Sequence, residues 1–156
     1  MATEIEGVLA EQPFLAGMKA ADLSFLAGRA SRRQLRKDQV LFPYGAPAEE
    51  FYLVLSGSVT MEVAAIEGPA LVLQSVGAGG IIGWSWLFPP YKWTFQGRSS
   101  EDTEVLAFDG KAVRERCEAD PAFGYDVLKR FSTLMSERLG YARQCMIEAW
   151  SPPGFA

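Results

Sequence analysis

Between Arg32 and Phe108 the sequence breaks into seven short runs of β-type composition, at 32–36, 39–42, 51–55, 58–63, 71–76, 92–99 and 103–108, and after Phe108 the periodicity turns helical. So many short strands must close on one another to hide their edges, which restricts the middle of the chain to a β-sandwich, roll or barrel. Ser56 and Gly57 separate two of the runs, and the second carries Val59, Met61 and Val63 alternating with polar residues, so a tight hairpin is predicted there.

The flanks read as helices. Leu23, Phe25 and Leu26 place a short helix in 19–28, which Gly28 is expected to close in a left-handed conformation. Asp109 is positioned to cap a short helix ending near Cys117, and Asp120-Pro121 is a strong start signal for another. From there Phe123, Val127, Phe131, Met135, Leu139, Ala142, Met146 and Ala149 recur every three or four residues as one stripe. A helix from Pro121 to about Trp150 is about 40 Å long at 1.5 Å per residue, too long for one small roll to cover. Its far half therefore needs a partner, and Gly140, costly inside a helix, predicts close approach of another backbone.

Composition removes whole function classes. The 156 residues contain no His, which eliminates most general bases, triads and zinc or haem sites, and no paired-carboxylate site stands out in its place. A non-enzymatic protein with no metal and no cofactor is expected. Cys117 and Cys145 lie far apart without a CxxC spacing. A net charge of −4 argues against direct binding of nucleic acid, and the local cluster Arg29, Arg32, Arg33, Arg36 and Lys37 reads as the solvated face of a strand. The first twenty residues carry three Glu before the first Lys and no signal-type apolar core, so a cytoplasmic location is expected. The most apolar stretch, Ile81 to Pro90, is too short to span a membrane, so no membrane association is expected.

Leu41-Phe42, Gly45, Phe51-Tyr52-Leu53-Val54, Gly57 and Val59, followed by Gly77-Ala78-Gly79-Gly80-Ile81-Ile82-Gly83, resemble the cyclic-nucleotide-binding domain found in the catabolite activator protein group of bacterial regulators. The similarity runs from about Pro13 to Ala149. It implies an α+β, mainly β fold: a β-roll or jelly roll (double-stranded β-helix) at about 32–108, a short N-terminal helical element, and C-terminal helices at about 110–150, in one domain over 1–156. In that family a Gly-rich turn offers backbone N–H groups to a cyclic phosphate. A Glu directly after the cassette glycine takes the ribose hydroxyl, and an Arg about ten residues later neutralises the phosphate.

Here the residue after Gly83 is Trp84, and the place of the Arg falls on Trp93, or on Thr94 with the gap set one residue differently. Both anchoring side chains are absent. Lys92 and Arg98 would share the strand face opposite Trp93 and Phe95, so if the rings point inward these cations point outward. The window 84–95 holds six aromatic residues, including Trp86, Phe88 and Tyr91, which predicts either an aromatic-lined pocket or a solid aromatic core. The resemblance places Leu73, Val76 and Ile82 on the pocket wall, with Gly83, Trp84, Ser85 and Trp86 as the cassette and Trp93, Thr94 and Phe95 opposite. It also implies dimer contacts along the last helix, at positions reading Ala142 and Arg143, and Arg143 is the cation expected to re-enter the pocket. Gly77, Gly79 and Gly83 miss the GxGxxG register, no GK[ST] follows, and a cupin metal site would need His.

The expected function is a non-catalytic regulatory ligand-binding module with an altered, aromatic-rich pocket for an apolar or planar small molecule, homodimeric through the C-terminal helix. The family's transcription regulators continue into a helix-turn-helix domain, whereas this sequence ends in SPPGFA, so signalling through protein contacts is expected. The alternatives are a genuine cAMP or cGMP binder with a rearranged pose and a purely structural partner-binding protein.

Overall fold

The computed structural model describes residues 2–150. Its strands are β1 (Ala30–Leu35), β2 (Val40–Phe42), β3 (Glu50–Ser56), β4 (Ser58–Val63), β5 (Leu71–Gly77), β6 (Ile81–Ile82), β7 (Gln96–Ser99) and β8 (Thr103–Asp109). The helices are α1 (Ala2–Ala10), α2 (Ala20–Ala27), α3 (Gly110–Ala119) and α4 (Pro121–Ala149), with a single 3-10 turn at Pro13–Leu15. Two four-stranded sheets, ordered β1-β8-β3-β6 and β2-β7-β4-β5, face each other as a mainly β roll, with the helices against the outer side of the first sheet.

Strict alternation along β3, β6 and β8 builds two cores from one sheet. Phe51, Leu53, Ile81, Leu106 and Phe108 face the helices, where they meet Leu9, Leu26, Val113, Phe123, Val127 and Phe131. Their neighbours Tyr52, Val54, Ile82, Val105 and Ala107 face the roll interior with Phe42, Val59, Met61 and Val76. A sheet buried on both faces explains why FYLVL and EVLAF are continuous apolar runs; each large side chain so buried contributes about 1.5–3 kcal/mol.

The Ser56–Gly57 junction is not a hairpin. β3 pairs with β6 and β8, whereas β4 pairs with β5 and β7, so Gly57 carries the chain from one sheet to the other. Its φ is +86°, and a Cβ there would lie 2.6 Å from the Asp102 carbonyl oxygen. The Thr103 hydroxyl locks the same corner by accepting from the Ser58 N–H at 3.1 Å. Gly57→Ala should therefore cost about 2 kcal/mol or more in a denaturant titration, and a loss under about 0.5 kcal/mol would contradict this corner.

Both carboxylate caps form: Asp109 accepts from the Ala112 N–H at 3.0 Å and Asp120 from the Phe123 N–H at 3.3 Å. Gly28, by contrast, ends α2 in the right-handed region at φ −68°, its N–H bonded back to the Ser24 carbonyl, so no left-handed cap is needed. The run at 92–99 becomes a regular strand only from Gln96. Upstream, Trp93 pairs by its backbone with Gly45 and Ala46, at 2.9 and 3.0 Å. Helix α1 had no sequence signal beyond Ile5 and Leu9, spaced one turn apart, which dock into the helix-side core. Within the basic cluster around β1, Arg32 is paired with Glu4 and Glu104 and Arg33 bidentately with Glu50.

Helix α4 buries only Phe123, Val127 and Phe131 fully. Beyond Arg138 every described side chain is exposed, and a Cβ on Gly140 meets nothing within 4 Å of its own chain. Among the described residues no helix is long and apolar enough to cross a membrane.

Candidate functional site

Gly83 stands at the end of β6 with φ +99°, and the nearest side chain to a Cβ there would be Trp93, with Cη2 at 2.5 Å and Cζ3 at 2.8 Å. Only a glycine lets the indole lie against the backbone at this point. Trp93 is 3% exposed and stacks on Phe42 at a centroid separation of 3.8 Å, with Tyr52 at 6.3 Å and Phe95 at 6.1 Å. Four rings thus pack on one another in the roll interior. Lys92 and Thr94 are exposed while Trp93 and Phe95 are buried, the alternation expected of an extended segment. Arg98 is held by Glu62, which accepts at 2.9 Å; burial pushes the Glu62 carboxyl up, but the hydrogen bonds from Arg98 and Gln96 outweigh it and hold the group below its ordinary value.

The cassette residues divide between the two cores. Val76 and Ile82 belong to the roll interior. Trp86 lies on the helix side, fully buried against Phe51 and Phe131, and its indole N–H donates to the Gly83 carbonyl at 3.0 Å. Trp84 is partly buried on that same side, and Ser85 is buried. Leu73 points outward at 44% exposure, Thr94 is exposed, and Arg143 lies on the exposed part of α4. The structure therefore brings together Val76, Ile82, Gly83, Trp93 and Phe95, and sets Leu73, Thr94 and Arg143 apart from them.

The cation that does reach this region is Arg138. Its guanidinium donates to the Ile81 carbonyl, lies 5.3 Å from the Trp84 ring centroid, and approaches the Met61 sulfur at 4.0 Å. Burial lowers its pKa to about 10, so it remains protonated at neutral pH. A sequence signal exists: Arg138 follows Phe131 by seven residues, two helical turns, and so shares its inward face.

Two grooves lie beside α4 and share Gly80, Ile81, Leu134 and Glu137 in their lining. One, about 300 Å³, is lined by Gln74, Val76, Gly77, Leu134 and Arg138. The other, about 550 Å³, is lined by Phe14, Gly79, Lys129, Arg130 and Thr133. Arg130 closes the outer end by donating to the Phe14 and Ala16 carbonyls at 2.8 and 2.9 Å while pairing with Asp126 at 3.0 Å. The described residues hold no group of three His, Cys, Asp or Glu able to bind a metal ion.

Residues 32–120 match the sequence model of the cyclic nucleotide-binding domain. No curated protein matches. Among solved structures, the chain is similar to a cyclic nucleotide-binding domain from Methylobacillus flagellatus KT, at 18% identity and a TM-score of 0.79 over 98% of this chain and 86% of that one. A protein from Geobacter metallireducens GS-15 assigned to cyclic nucleotide binding aligns at 24% identity and a TM-score of 0.77, over 86% and 97% of the two chains. The regulatory subunit of a cAMP-independent protein kinase A from Trypanosoma brucei aligns at 21% identity and a TM-score of 0.67, over 85% of this chain and 48% of that one.

Proposed function

Since the chain belongs to the cyclic nucleotide-binding domain family, we propose that it is a non-catalytic regulatory module whose interior ligand position is closed by aromatic rings, so that cAMP and cGMP are not held in the family's usual way. The observation that carries this reading is Trp93, stacked on Phe42 and pressed against Gly83 at the position where the resemblance calls for an arginine. A missing guanidinium forfeits a charge-assisted contact worth about 1.5–3 kcal/mol, and the indole occupies the space as well. Trp84 in place of a carboxylate removes the second anchor. The trypanosomal regulatory subunit belongs to a kinase described as cAMP-independent, a precedent for this fold in a kinase that does not depend on that nucleotide.

In this reading the output passes through protein contacts in the cytoplasm, and the exposed half of α4 joins two copies. Calorimetric titration with cAMP and cGMP tests the closed interior. The expected dissociation constants are weaker than about 100 μM, and a value near 1 μM, about 8 kcal/mol, would overturn the reading.

A further inference from the structure

We propose that the cleft between α4 and the Gly77–Ile81 turn binds a small organic anion, with its carboxylate or phosphate head on Arg138 and its apolar body along Ile81 and Leu134. The proposal deepens the regulatory reading by naming a ligand class, and rests on it in that the acting ligand is not a nucleotide inside the roll.

Arg138 is the starting point. Among the described residues it forms no ion pair, and unlike the equally unpaired Arg29, Arg36 and Arg143 it is not exposed. It nevertheless lies on the inward face of α4, half-buried among Met61, Ile81 and Trp84. A cation withdrawn from water without a counter-ion is costly, and an anion supplied from solution removes that cost. The Ile81 carbonyl and the Met61 sulfur engage only part of a guanidinium's five N–H donors. Burial lowers the Arg138 pKa, and the nearby Glu137 carboxylate offsets this only in part.

The surroundings select the ligand. Arg138 lines the smaller groove together with Val76, Ile81 and Leu134, so a molecule whose head meets Arg138 has apolar side chains beside its body. Lys129 adds positive charge to the larger groove, and Asp126 is occupied by Arg130. Glu137 is the opposing group: it lines both grooves, is exposed and forms no ion pair, so it weakens an anion's hold.

The probes are octanoate, octyl phosphate, octanamide and inorganic phosphate, titrated calorimetrically into the full chain at constant ionic strength. Octanoate or octyl phosphate should bind with a Kd below about 1 mM, and at least about tenfold more tightly than octanamide, which lacks the charge, or phosphate, which lacks the tail. The tighter of the two identifies the head group. Arg138→Met should weaken that binding by about tenfold or more, Glu137→Gln should strengthen it, and Arg143→Met should leave it unchanged. If Arg138→Met does not fold, Arg138→Lys replaces it, keeping the charge but losing the fork, and a severalfold weakening is expected. A merely structural Arg138 would change stability without separating octanoate from octanamide. Equal binding of those two, or no effect of the Arg138 substitutions, would overturn the site. Micromolar cyclic-nucleotide binding that Arg138→Met leaves intact would overturn the closed-roll reading and, with it, the anion as acting ligand.

Discussion

Trp93→Ala should destabilise the protein by about 3–5 kcal/mol in equilibrium unfolding, the cost of removing a large aromatic side chain from a filled core. A ring lining an open ligand pocket behaves differently, because its loss enlarges an existing space and its buried area is small. Trp93 is stacked on Phe42 at 3.8 Å, flanked by Phe95, and seated on Gly83, so no neighbour can move in without losing its own packing. Trp93→Arg should be at least as damaging, since a guanidinium would enter among rings offering no carboxylate. That outcome has a functional side: restoring the family's arginine by single substitution should not restore nucleotide binding. A loss below about 1 kcal/mol for Trp93→Ala would mean that the site is a pocket after all.

The roll was legible because its strands obey a period of two and its turns carry glycine. Trp93 and Phe95 point inward and Lys92 and Thr94 outward, as alternation alone predicts. The start of α4 was legible too, since Asp120-Pro121 combines an N-cap acceptor with a residue that suits the first helical turn. The Gly57 corner was not. A hairpin turn and a sheet-to-sheet crossing both need a residue at positive φ, and only the register with β6 and β8 distinguishes them. The same limit separates Trp84 and Trp86 from Trp93: composition gathers the rings into one window, but the first two pack on the helix side and the other, paired by its backbone with Gly45 and Ala46, in the roll interior. Arg138 escaped notice because its burial depends on where the Gly77–Ile81 turn meets α4, a contact between segments 57 residues apart.

Light scattering at micromolar concentration should give the mass of a dimer, and Leu139→Glu with Met146→Glu should convert it to a folded monomer. Leu139 is 61% and Met146 73% exposed, and with Ala142 and Ala149 they continue at three- and four-residue spacing, the geometry of a helix–helix seam. Ile147 and Trp150 add further apolar surface on the same exposed half. Gly140, where an added Cβ would meet nothing beyond its own helix within 4 Å, gains a purpose if a second backbone approaches there. In a two-fold pairing each residue of the seam is buried twice, so the two substitutions place four carboxylates in it. Desolvating them should cost about 3 kcal/mol or more, at least about a hundredfold in the dissociation constant. In one isolated copy the same positions are open to water, so the unfolding free energy of the resulting monomer should equal that of the unmodified chain diluted below its dissociation constant. A monomer at micromolar concentration without substitution would remove the seam and leave the exposed half of α4 to a different protein partner.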